Sequence, residues 1–111
     1  MRMFPLVLIA LVSVSMCTQN ISSKDQASSA CISLCNAALK SGKYLGNGPC
    51  LSESSPDWSP NWSVSDWVCD VAHSPRQDVD NLQENQCSDY RNDKANHFVE
   101  VDASCKLIRA V

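Results

Sequence analysis

The sequence predicts an α+β fold in which one N-terminal helix packs on a short antiparallel sheet of about three strands with long loops. Three observations support this class: an apolar stripe with helical spacing, three short segments rich in strand-forming residues, and cysteines on the helix and on two of the three strand segments. With 111 residues, the chain is long enough for one domain.

The helix is predicted over residues 25–41. Its apolar residues recur at intervals of three and four, which places them on one face. Ser23 or Asp25 is a suitable N-cap, and Gly42 is suited to end the helix because glycine adopts the left-handed conformation readily. The predicted buried stripe consists of Cys31, Leu34, Cys35, Ala38 and Leu39.

Residues 42–66 are predicted to form a long loop, because they contain all three glycines of the chain and three of its five prolines. A segment of this length without regular structure inside a small domain is commonly a functional loop or a disordered insertion.

Three strands are predicted after this loop. Residues 67–72 form a short run of strand formers, while residues 97–102 and 105–111 alternate apolar and polar side chains. Residues 102–104 have the length of a hairpin turn.

A short helix is predicted over residues 85–94, between the first and second strands. Asn85 is its expected cap, and Cys87, Tyr90 and Arg91 are expected to face inward.

The cysteine pattern predicts a disulfide framework. Once Cys17 is assigned to the leader, an even number remains in a short chain, which is typical of small exported domains. Cys31 and Cys35 are excluded as partners of each other, because Cβ atoms four residues apart on a helix are about 5–6 Å apart, wider than a disulfide accepts. Twelve other pairings stay open. The predicted disulfide cysteines are Cys31, Cys35, Cys50, Cys69, Cys87 and Cys105.

Residues 1–17 have the pattern of a signal peptide. Arg2 precedes an apolar run that is shorter than the roughly 20 residues of a membrane-spanning helix. Cleavage after Cys17, a lipid anchor on Cys17 and an uncleaved anchor all stay open. The expected organisation is therefore a signal peptide, a polar tether over residues 18–30 and one cysteine-rich domain over residues 31–111. The protein is expected to be secreted, periplasmic or on the cell surface.

Composition restricts the partners. The chain has 12 acidic and nine basic residues and a net charge of −3, with no basic run, which excludes nucleic acid as the main partner. Contact with a membrane is expected only through the signal segment or a lipid anchor. No cofactor is expected, because the chain lacks a glycine-rich phosphate loop.

The candidate binding residues are Tyr44, Trp58 and Trp62, in the tryptophan-rich loop 44–67. Exposed aromatic side chains stack on sugar rings or anchor protein partners, so an extracellular glycan or protein is the expected ligand. In the alternative interpretation, Trp58 and Trp62 fold back as a lid over a thin core, while Trp67 begins a core strand.

No catalytic residue is assigned, and the expected function is binding or structural. Cys87-Ser-Asp-Tyr90 with His97-Phe-Val-Glu-Val101 resembles short pieces of transglutaminase-like cysteine enzymes, which would imply a Cys87–His97 pair. A catalytic Cys87 would leave an odd number of cysteines, so a disulfide is expected instead. The alternative functions are a hydrolase inhibitor and a small secreted hydrolase that uses His97 or His73 with a neighbouring carboxylate.

No metal site is expected. Strand alternation places His97 on one face and Glu100 on the other, so one strand does not aim both at one ion. The acidic residues Asp78, Asp80 and Glu84 are expected to form a solvated loop rather than a calcium site, because the glycine of an EF-hand loop is missing. Nothing in the sequence indicates that Glu100 is buried.

Overall fold

The computed structural model describes residues 21–53 and 62–111. One helix packs on a three-stranded mixed sheet, and three disulfides cross-link the domain, so the predicted α+β class is confirmed. The elements are α1 (Ser23–Lys40), β1 (Trp67–Val71), α2 (Ser88–Arg91), β2 (His97–Val101) and β3 (Leu107–Ala110), with short 3₁₀ turns at Asp78–Asn81 and Gln83–Asn85. In this part of the chain, no helix combines the length and the apolar character needed to cross a membrane.

Helix α1 begins and ends close to the predicted positions. Ser22 is its N-cap, and its hydroxyl oxygen accepts a hydrogen bond from the Asp25 N–H at 3.2 Å. Gly42 follows the C-cap with φ +84°, as the sequence predicted. The buried stripe contains the predicted residues except Leu39, which is 42% exposed because it lies beside the buried face. Ala27 extends the stripe by one turn toward the N-terminus.

The sheet has the order β1–β2–β3, and its first pair is parallel. The expectation of an antiparallel sheet is therefore wrong for β1 and β2, although it is confirmed for β2 and β3. The physical reason is the length of the connection over residues 72–96. It is long enough to carry the chain back along the sheet, so that β2 begins beside the first residue of β1. Asp66 and Asn96, which directly precede β1 and β2, link the beginnings of the two strands. The Asp66 carboxylate accepts a hydrogen bond from the Asn96 N–H at 2.9 Å.

A tight turn joins β2 to β3, as predicted. The Asp102 carboxylate accepts hydrogen bonds from the backbone N–H groups of Ser104 and Lys106, each at 2.9 Å. Cys105 adopts a positive φ of 65° in this turn. The turn thereby places Cys105 next to α1.

The connection between β1 and β2 differs from its prediction. Cys87, rather than Asn85, precedes the single helical turn of α2. Cys87 is buried as expected, but Tyr90 and Arg91 are exposed. The reason is that Glu53, from the preceding loop, accepts hydrogen bonds from the Ser88 and Asp89 N–H groups and so fixes the start of the helix.

The three disulfides are Cys31–Cys69, Cys35–Cys105 and Cys50–Cys87. The first two join α1 to the sheet, and the third lies on the opposite face of the sheet. All six predicted cysteines are therefore bridged, and the exclusion of a Cys31–Cys35 pair is confirmed. Because the helix and sheet share a thin core, these links supply stability that the buried apolar surface of a small domain lacks.

Candidate functional site

The two faces of the sheet differ in character. Trp67, Cys69, Val71, Val99 and Val101 pack against α1 in the main core. The side chains that alternate with these along β1 and β2 face away from α1. They line an open pocket of about 450 Å³, called here the Glu100 pocket. Its lining residues are Val68, Asp70, Arg76, Gln86, Cys87, Tyr90, Arg91, Phe98, Glu100 and Arg109.

Glu100 is the central charged group of this pocket, and it is only 4% exposed. Arg76 Nη1 donates a hydrogen bond to Glu100 Oε2 at 2.8 Å, and Arg109 Nε donates to Glu100 Oε1. Arg109 lies opposite Glu100 in the β2–β3 register. The carboxylate is therefore satisfied on both oxygens by two cations, which is what a buried ionised group requires.

Asp70 lies beside Glu100, because the two residues are register partners on β1 and β2. Among the described residues, Asp70 Oδ1 is buried without a hydrogen-bond partner. Burial, together with the negative charge of Glu100, raises the pKa of Asp70 from 3.8 to about 8. Asp70 is thus protonated at neutral pH while its neighbour is ionised.

The pocket also has an aromatic wall. The Tyr90 and Phe98 rings meet edge to face with their centroids 5.0 Å apart. The Arg109 guanidinium lies over the Phe98 ring, 5.1 Å from its centroid. Arg109 is therefore oriented by two contacts, one to Glu100 and one to Phe98.

The loop after β1 holds Arg76 in place. Arg76 Nη2 donates to the Asp80 carbonyl oxygen at 3.2 Å, and Arg76 Nε donates to Asn81 Oδ1 at 2.8 Å. The Asp80 carboxylate is itself buried and lies 2.9 Å from His73 Nδ1. Burial opposes its ionisation, but hydrogen bonds from Gln77 and His73 outweigh that effect and lower the pKa of Asp80.

Both histidines lie beside carboxylates. His73 pairs with Asp80, and His97 Nε2 lies 3.5 Å from Asp66 Oδ2 while its ring stacks on Trp67. Neither histidine lines the Glu100 pocket. Each pair joins neighbouring elements of the fold.

The predicted binding residues lie elsewhere. Tyr44 is 74% exposed in the loop after α1. Trp62 is half-buried against the main core, and its Nε1–H donates to the Trp67 carbonyl oxygen at 2.8 Å. Trp58 lies outside the described residues, as does Cys17 with the predicted signal peptide. Neither Tyr44 nor Trp62 lines the Glu100 pocket.

One group of possible metal ligands is found among the described residues, and its members are engaged in other roles. Ligand atoms of Cys50, Glu53 and Cys87 lie within 4.8 Å of one another, but both sulfur atoms are bonded in a disulfide and Glu53 caps α2. Asp80 is buried with hydrogen-bonded partners, so the expectation that it belongs to a solvated loop is wrong. Its environment follows from the turn at residues 73–80, which folds the carboxylate inward.

Sequence reasoning missed the pocket residues Asp70, Arg76 and Arg109, and it missed the burial of Glu100. A signal was present, because β1 (Trp67-Val-Cys-Asp-Val71) and β2 (His97-Phe-Val-Glu-Val101) each carry an acid at the fourth position. Because β1 and β2 pair in parallel and in register, these two acids, Asp70 and Glu100, lie next to each other.

Comparison with known proteins finds no matching family model, no matching curated protein and no matching solved structure.

Proposed function

We propose that this chain is an exported binding protein and that its ligand occupies the Glu100 pocket. The observation that carries the proposal is the nearly complete burial of an ionised carboxylate in the wall of an open pocket. Burying such a group costs free energy, and the main core that stabilises the fold lies on the opposite face of the same sheet. Polar groups held in this way in a concave site are typical of ligand binding.

Export is supported by two features. Three disulfides are typical of oxidising compartments. The first 17 residues have a basic start and an apolar run, which is the pattern of a signal peptide. Mass mapping under non-reducing conditions, on protein isolated from its native host, tests this. We expect a chain that begins near Thr18 or at a lipid-modified Cys17, whereas an intact leader on a cytosolic protein would contradict export.

Binding is tested by NMR titration of the folded protein with a library of small molecules. We expect ligands to shift backbone amide signals of residues around the Glu100 pocket. Shifts confined to the surroundings of Tyr44 and Trp62 would instead assign binding to the aromatic loop. Absence of any shift near Glu100 would contradict the proposed site.

Hydrolysis is a second candidate function. A protonated Asp70 beside an ionised Glu100 gives two carboxyl groups in different protonation states, which is the arrangement that acid–base catalysis uses. Turnover on panels of glycosides and peptides, abolished by Asp70→Asn, would favour this function. Binding without turnover would favour the first.

A further inference from the structure

The Glu100 pocket carries a positive charge on an acidic chain. Three arginines line it, against the two carboxyl groups of Asp70 and Glu100, while the whole chain has a net charge of −3. The excess of cations grows by one when Asp70 holds its proton. An anion is therefore attracted to this pocket and repelled from the acidic surface elsewhere.

Arg109 is prepared to hold an oxyanion. Its Nε–H donates to Glu100 and its guanidinium lies over the Phe98 ring, so the group is oriented before a ligand arrives. Its side chain is 54% exposed, and within the described residues its terminal nitrogens donate no side-chain hydrogen bond. A guanidinium that is already oriented and has a free edge binds a carboxylate with little further loss of entropy.

Arg91 is the second available cation. Its guanidinium nitrogens lie 2.8 and 3.2 Å from the terminal amide of Gln83, a neutral group. Within residues 21–53 and 62–111, no carboxylate lies within 4.0 Å of it. Arg76, in contrast, already uses its three nitrogens on Glu100, Asp80 and Asn81. The free charge in the pocket therefore belongs to Arg91 and Arg109.

The remaining walls favour an apolar body attached to that anion. Tyr90 is exposed and lies edge to face against Phe98, while Val68 and Cys87 add apolar lining. The volume of about 450 Å³ falls in the range of small-molecule sites and far exceeds one inorganic anion.

We infer that the Glu100 pocket binds a small aryl carboxylate, whose oxyanion is held by Arg91 and Arg109 and whose ring lies against Tyr90 and Phe98. This inference rests on the proposed binding function and names its ligand class. Benzoate is the simplest probe that has both features. Benzamide keeps the ring without the charge, acetate keeps the charge without the ring, and inorganic phosphate offers charge alone.

The test is an NMR titration of the disulfide-bonded protein with these four probes at about pH 6, below the pKa of about 8 that burial gives Asp70. Benzoate is expected to shift the amides of Tyr90, Arg91 and Arg109, with an affinity about tenfold higher than that of benzamide or acetate. Equal affinity for benzoate and benzamide would overturn the oxyanion site. Equal affinity for benzoate, acetate and phosphate would overturn the aryl class and leave an anion site.

Variants locate the contact. Arg91→Gln removes an exposed side chain, so the fold is retained, and it is expected to weaken benzoate binding about tenfold. Arg109→Lys keeps the charge but loses the planar fork, and a comparable weakening is expected. Lys40→Gln, at the end of α1 on the opposite face of the sheet, is the matched control for loss of one positive charge. Unchanged benzoate binding in Arg91→Gln and Arg109→Lys would overturn the inference.

The failure of this inference is distinguishable from that of the proposed function. If neutral molecules from the library shift the amides around Glu100 while benzoate does not, the pocket binds a different ligand class. If nothing shifts them, both the ligand class and the binding function are wrong.

Discussion

Asp70 and Glu100 occupy the same register position on two parallel strands, and their side chains line the same pocket. Two arginines neutralise Glu100, whereas Asp70 Oδ1 has no partner among the described residues. Two adjacent carboxylates repel each other in a desolvated site. The state of lowest free energy for this pair therefore has a negative charge on Glu100 and a proton on Asp70.

The contribution of Asp70 to the stability of the folded protein is expected to fall as pH rises from about 4 to about 8. In this window the unfolded chain has Asp70 ionised, while the folded chain keeps the proton up to a pKa of about 8. The folded state then binds one more proton, so this residue lowers the free energy of unfolding by up to about 1.4 kcal/mol per pH unit.

Asp70→Asn supplies the comparison, since it cannot titrate. We expect its stability to lack this decline, so that the variant gains on the wild type between pH 5 and about 8 in urea unfolding. Identical pH slopes for the two proteins would contradict a buried proton on Asp70.

Two substitutions are expected to move the pKa of Asp70 in opposite directions. Glu100→Gln removes the negative charge that raises the Asp70 pKa, so the pKa falls. Arg76→Gln removes a positive charge that lowers it, so the pKa rises. NMR titration of the Asp70 side-chain carbon measures both shifts, and Lys40→Gln is the control with no expected change. An unchanged Asp70 pKa in both variants would show that burial alone sets it.

Trp62→Ala is expected to destabilise the protein by about 1–3 kcal/mol, because the ring packs on the main core and its Nε1–H is bonded to Trp67. Trp62→Phe keeps much of the packing and loses the hydrogen bond, at about 1 kcal/mol. The exposed Tyr44→Ala serves as a control, with a change within about 0.5 kcal/mol. Chemical denaturation measures all three. Unchanged stability with lost ligand binding in Trp62→Ala would instead favour an aromatic binding platform.

Gly48→Ala is expected to cost more stability than Gly42→Ala. Both glycines have positive φ, 69° and 84°, so both substitutions strain the backbone by about 1–2 kcal/mol. A Cβ at Gly48 would also lie 2.6 Å from Asp80 Oδ1 and 3.0 Å from the Val71 carbonyl oxygen, whereas a Cβ at Gly42 would meet nothing within 4 Å. Thermal unfolding of the two variants measures the difference. Equal losses of stability in the two variants would mean that the turn at residues 73–80 can shift away from the added Cβ without an energetic cost.

Local patterns in the sequence were sufficient for the elements of the fold. The helical spacing of Cys31, Leu34 and Cys35 and the glycine after the helix predict α1 nearly to its ends. Alternation and a short polar turn predict the β2–β3 hairpin. The Glu100 pocket was not predicted, because Tyr44 and Trp62 were chosen by residue type and neither lines it, and their role in binding stays a prediction.

The sequence by itself determined that the chain needs cross-links and that a helix and three strands would carry them, because residue spacing and turn chemistry act over a few residues. Only the tertiary structure decided which cysteines pair, that β1 and β2 run parallel, and that Asp70 and Glu100 share one pocket. The period of two along a strand shows which side chains share its face. This period does not show which strand is the neighbour, or whether the two strands run parallel or antiparallel. The path of residues 72–96 decides both.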